Sequence, residues 1–155
     1  MAFSEEIDRR RIRIPNRPDI FGHQLVMNGQ DEVVEEEPDL LSNATTVTVD
    51  EAPALAEAFG GVCYPAHIDR QANGIIATLG FMPPTPRFTC VEFHDGGQQE
   101  AYRQHVPPHC LTVVGSDAHL LWDIRDAAYS LELPDEPYSS AAVRQALIDT
   151  IRRGL

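Results

Sequence analysis

Two stretches decide how this chain is read: Gly61-Val62-Cys63-Tyr64-Pro65-Ala66-His67-Ile68-Asp69-Arg70 and Leu111-Thr112-Val113-Val114-Gly115-Ser116-Asp117-Ala118-His119. Each opens on a short apolar run that reads as a buried strand and closes on imidazole and carboxylate side chains. Short apolar strands alternating with helices argue for parallel pairing with both sheet faces covered, so the fold class is α/β. In parallel α/β folds the carboxyl ends of the strands share one edge, and ligands bind there. Two independent strand ends thus deliver His67, Asp69 and Arg70, and Asp117 with His119, to one site. An Asp and a His two residues apart suit hard or borderline divalent metals, because a carboxylate oxygen and a neutral imidazole nitrogen can reach into one cluster.

Working outward, a helix is expected from Asp50 to Phe59, with Asp50 as N-cap, Pro53 in the first turn and Gly60-Gly61 as its stop. Val62 to Tyr64 is the first expected strand, followed by a helical turn over 74–79 that Gly80 ends. Phe88 to Phe93 is the second, residues 96–104 a short helix, Leu111 to Val114 the third strand, and Ala128 to Leu133 a fourth. The last helix takes Ser140 as N-cap, places Val143, Leu147 and Ile151 on one face, and ends in Arg152-Arg153-Gly154, with cations where the macrodipole favours them. Residues 1–47 read as an irregular, insertion-like segment: Pro15 and Pro18 break an early helix, Asn28-Gly29 marks a turn, and the acidic run from Asp31 to Glu37 closes at Pro38. Residues 48–155 carry the βα units. Three or four strands are too few to close a barrel on their own.

The chain has 155 residues, 43% of them hydrophobic, enough for one core. Its formal net charge of -12 repels polyphosphate, which argues against a general nucleic-acid-coating role. None of the 12 basic residues is lysine, and this excludes a lysine Schiff base or a P-loop lysine. Five arginines (Arg9, Arg10, Arg11, Arg13 and Arg17) fall early, interleaved with Glu5, Glu6 and Asp8, as in a solvated connector; beyond residue 17, 7 basic side chains face 21 acidic ones. Cys63, Cys90 and Cys110 have no CxxC spacing and read as small hydrophobes of a reduced, cytoplasmic protein. No apolar run is long enough to span a membrane. His94, which follows the Phe88 to Phe93 strand at the same edge, and His23, in a glycine-containing turn, are candidate extra metal ligands. Arg70 is a candidate bidentate phosphate ligand, and Trp122 reads as a packing residue.

The two opening stretches, with Leu79-Gly80-Phe81-Met82-Pro83-Pro84 after the first, resemble the third metal motif and the final Ser-Asp-Ala-His motif of the PHP (polymerase and histidinol phosphatase) family. Pro15 to Gln24 and Glu35 to Ala44 also resemble the middle of PHP phosphoesterases, so the resemblance covers most of the chain. It implies a distorted, TIM-like barrel of seven βα units that hydrolyses phosphate esters, with up to three divalent ions (Zn, Mn or Fe) at the carboxyl ends of its strands. It carries metal-ligand roles onto His67, Asp117 and His119.

The family's opening His-x-His motif and its other early ligands have no counterpart in this sequence, so the chain resembles the C-terminal half of a PHP domain. A stable catalytic metal site takes about three protein ligands. The expectation is therefore a phosphoesterase module, acting on a small phosphate ester or a nucleotide, that binds metal weakly or not at all as this chain. It would be completed by another copy, as a homo-oligomer, or by a separately encoded N-terminal half. The alternative is a non-catalytic remnant or interaction module that buries an open strand edge against such a partner.

Overall fold

The computed structural model describes residues 2–155, which divide into two compact units between Thr48 and Val49. In the first unit, α1 (Phe3–Arg10) has Glu5 and Glu6 in its first turn and Arg9 and Arg10 in its last, each charge on the side the helix dipole favours. α2 (Pro18–Phe21) starts on proline, where the missing N–H costs nothing. β1 (Leu25–Met27) and β2 (Val33–Glu36) form an antiparallel hairpin. At its turn, Asn28 Oδ1 accepts from the N–H groups of Gln30 and Glu32 at 2.9 and 3.0 Å. Bridges join Arg11 to Thr45 and Pro15 to Asp39.

This corrects the irregular reading of residues 1–47. Pro15 and Pro18 do not prevent an early helix, because α1 has already ended at Arg10. Of the five early arginines, Arg9, Arg13 and Arg17 keep more than half of their side chains in solvent, but Arg11 and Arg13 also tie the unit together. Arg11 pairs with Asp8 and Glu37, both at 3.1 Å, and Arg13 with Asp8 and Asp39, both at 2.7 Å. Each takes an acid from α1 and one from the chain after β2.

The second unit contains α3 (Ala52–Ala58), α4 (Ile75–Leu79), β3 (Cys90–Phe93), α5 (Gln99–Tyr102), β4 (Leu111–Val114) and α6 (Ser140–Arg153). β3 and β4 run parallel, in register from Cys90 opposite Leu111 to Phe93 opposite Val114. Val91 and Phe93 are fully buried with Ile68 and Cys110, and Ile75, Ile76, Met82, Tyr102, Val106 and Val114 pack around them. Cys90 is also fully buried, and that burial, ahead of the neighbouring Cys110 thiol, pushes its pKa up to about 12. It stays a thiol at neutral pH, as the small-hydrophobe reading requires.

The α/β class holds, but among the described residues the strands form only two two-stranded sheets, and no barrel closes. Val62 to Tyr64 is not a strand. The chain beside β3 is held by two backbone bonds centred on one residue, Glu92 N–H to Pro65 O and Ile68 N–H to Glu92 O, both 2.9 Å. Pro65 has no N–H to extend that ladder. Ala128 to Leu133 is likewise irregular. The N-cap of α6 is Ser139 rather than Ser140, its hydroxyl accepting from the Ala142 N–H at 3.4 Å, and Leu147 is exposed while Ile151 is buried. Among the described residues no helix is long and apolar enough to cross a membrane.

Candidate functional site

The parallel pairing of β3 and β4 places His94-Asp95 and Gly115 to His119 at one edge, and the chain hydrogen-bonded to Glu92 brings His67 to Arg70 alongside. A surface pocket of about 440 Å³ opens there, lined by Arg70, His94, Asp117, His119, Trp122 and Arg125, together with Ser116 and Asp123. Four of the six side chains singled out from the sequence therefore meet in one pocket. His67 is not among the residues that line it, and His23 belongs to the first unit, where its Nδ1 stands 2.8 Å from Glu36 Oε1.

Asp69 fixes the loop after β3 by accepting the His94 and Asp95 N–H groups, one on each carboxylate oxygen, both at 2.7 Å. Arg125 closes the loop from the other side, donating from Nη1 to His94 O at 2.6 Å and from Nη2 to His94 Nε2 at 2.9 Å. A guanidinium has only donors, so Nε2 is the accepting nitrogen and the proton of a neutral His94 sits on Nδ1. That Nδ1, like the Nδ1 of His67, is buried without a hydrogen-bond partner. His67 (φ 33°) and Asp117 (φ 48°) both adopt the left-handed backbone region. Such strain in non-glycine residues concentrates at functional sites.

The donor set does not fit a self-sufficient metal centre. An Arg70 Nη1–Asp117 Oδ2 ion pair puts a cation where the carboxylate would meet a metal. His94 Nε2 is engaged by Arg125, and His119 Nδ1 stands 2.8 Å from Asp117 O, leaving only its exposed Nε2 for a ligand. Among the described residues no three His, Cys, Asp or Glu side chains converge as a metal-binding group.

No family model, no curated protein and no solved structure matches this chain.

Sequence reasoning missed Glu92 and Arg125 and misjudged Trp122. Trp122 is 79% exposed on the 3₁₀ turn Leu121–Asp123, so it is not a packing residue. Glu92 was legible: it is the one charged residue inside the apolar strand Cys90–Phe93. Its carboxylate lies against Gly115, where a Cβ would come within 2.9 Å of Oε1. Burial first, then the charges of Asp117 and Asp69, push the Glu92 pKa up from its ordinary 4.5, against the opposing pull of His67 and His94.

A raised carboxyl pKa means that the folded chain binds this proton more tightly than the unfolded chain. Stability then falls as pH rises from the ordinary value through the raised one, and stays lower above it. Glu92→Gln is expected to remove that decline. Thermal unfolding across pH 4 to 8 should show the two proteins matching in acid and the variant melting higher at neutral pH. Parallel curves would contradict the assignment.

Proposed function

We propose that this chain carries part of the site of a PHP-type metal-dependent phosphoesterase, built on the C-terminal portion of a distorted (β/α)7 barrel. The observation that supports it best is the meeting of Arg70, His94, Asp117 and His119 in one pocket at the carboxyl edge of two parallel strands. In this reading His67, Asp117 and His119 are ligands that serve a divalent ion (Zn, Mn or Fe) only together with donors that these 155 residues do not supply. Arg70, paired with Asp117 in the chain as it stands, would hold the phosphate if such an ion engaged that carboxylate. Free Cys63, Cys90 and Cys110 suit a reducing, cytoplasmic setting.

The Arg70–Asp117 pair also favours a second reading, a non-catalytic module, because it gives the carboxylate a partner without any metal. Hydrolysis of p-nitrophenyl phosphate with Mn²⁺ or Zn²⁺ separates the two. Metal-dependent turnover, however slow, that falls about tenfold or more in Asp117→Asn supports the phosphoesterase. Equal rates in the two proteins overturn it in favour of the non-catalytic module.

A further inference from the structure

At the start of β3, opposite the edge that carries Asp117 and His119, two further pockets of the second unit abut. One, of about 310 Å³, is apolar, with Val49, Ala52, Tyr64, Ile75 and Leu79 in its wall. The other, of about 210 Å³, holds two cations, Arg87 and Arg152, with Glu57 as its single carboxylate. Cys63 and Phe88 line both pockets. The chain that fails to pair as a strand runs from one to the other, with Gly61 and Val62 beside the arginines and Tyr64 to Ala66 on the apolar side. Arg152 Nη2 donates to Gly61 O at 3.1 Å, and Arg87 Nε to His109 Nε2 at 3.2 Å. Among the described residues neither arginine forms an ion pair with a carboxylate, whereas Arg70 and Arg103 both do. Their remaining N–H groups are available to an incoming anion.

We propose that the two pockets together take an amphipathic monocarboxylate, its carboxylate on Arg87 and Arg152 and its hydrocarbon body against Ile75, Leu79 and Phe88. The head is assigned by the two guanidiniums, whose planar donor fork matches a carboxylate. Its single charge is assigned by Glu57, which with the net charge of -12 opposes a dianion. The body is assigned by the apolar pocket, which has the size and lining of a small-molecule site and no cation in its wall. This site lies at the other end of the parallel strands from the pocket of the phosphoesterase reading and does not depend on that reading.

Calorimetry on the full chain with octanoate, butyrate and 1-octanol tests the assignment. Octanoate should bind about tenfold more tightly than 1-octanol, and each methylene beyond butyrate should add about two- to fourfold. Arg87→Gln and Arg152→Gln should each weaken octanoate about tenfold and leave 1-octanol unchanged, while Glu57→Gln should tighten octanoate a few-fold. Ala52→Phe, which fills the apolar pocket, should bring octanoate down to the affinity of butyrate and leave butyrate as it was. Cys63 is the one free thiol that is not buried, so its alkylation by iodoacetamide maps the site, and octanoate should slow it. Equal affinities for octanoate and 1-octanol, or unchanged octanoate affinity in both arginine variants, would overturn the head. Equal affinities for octanoate and butyrate, or alkylation of Cys63 at the same rate with octanoate bound, would overturn the body. Tighter binding of octyl phosphate than of octanoate would overturn the choice of a monocarboxylate.

Discussion

Phe93→Ala is expected to cost the second unit about 3–5 kcal/mol, the range for truncating a buried aromatic ring. Phe93 is fully buried, shares its cluster with Ile68, Val91 and Cys110, and meets the Tyr102 ring edge-on at a centroid distance of 6.2 Å. The side chain sits at the last position of β3, one residue before His94, so its loss removes both core volume and the support of the candidate site. Against a total stability of about 5–15 kcal/mol for an ordinary domain, the variant would lie close to its unfolding threshold. Urea unfolding of the wild type and the variant measures the difference. A loss below about 1 kcal/mol would show that β3 and β4 do not form the centre of the core.

Gly154→Val is the second large effect, and its cause lies in the backbone. Gly154 caps α6 with φ +71°, a conformation that L side chains rarely adopt. A Cβ there would stand 2.4 Å from His109 O and 2.9 Å from Thr89 O, and neither carbonyl can swing away as a side chain would. This corner joins the end of α6 to the starts of both parallel strands. Leu155 N–H donates to His109 O at 2.9 Å, Thr89 Oγ1 to Ile151 O at 2.7 Å, and Leu111 N–H to Thr89 O at 2.9 Å. Strain and overlap together are expected to exceed about 3 kcal/mol, with α6 pulled off its seat. Chemical denaturation supplies the size of the effect, and rapid amide exchange in α6 locates it. A variant as stable as the wild type would contradict the placement of α6.

The parallel pair was legible because Phe88 to Phe93 and Leu111 to Val114 are apolar runs bounded by turn residues. Val62 to Tyr64 shares that composition but not the pairing: it precedes Pro65, and the chain after it meets β3 through Glu92 alone, at Pro65 and Ile68. Ala128 to Leu133 failed as a strand for a related reason, since Glu132 interrupts it, Pro134 follows it, and Ala128 to Ser130 are exposed. The β1–β2 hairpin was hidden because Val33 and Val34 are adjacent rather than alternating, and every residue of both strands is exposed, which erases the period-2 signal. At the site, the strand-end rule anticipated that His94, Asp117 and His119 would lie where β3 and β4 end, whereas Arg70 reaches the same pocket from a stretch that is not a strand. It was silent on Arg125, which comes from the irregular chain after β4 and reaches His94 across 31 residues. It was silent too on the Arg70–Asp117 pair, because side-chain pairing between separate loops leaves no local pattern.

The central proposal is that this chain supplies some, but not enough, of the donors of a metal-dependent phosphoesterase site. Elemental analysis of the purified chain, after equilibration with Zn²⁺ or Mn²⁺ and exhaustive dialysis, tests it most directly. The expected result is well below about 0.1 metal ion per chain, because an ion held by fewer than about three protein ligands dissociates. About one or more tightly held ions per chain, lost on Asp117→Asn, would contradict it and make the site complete as it stands.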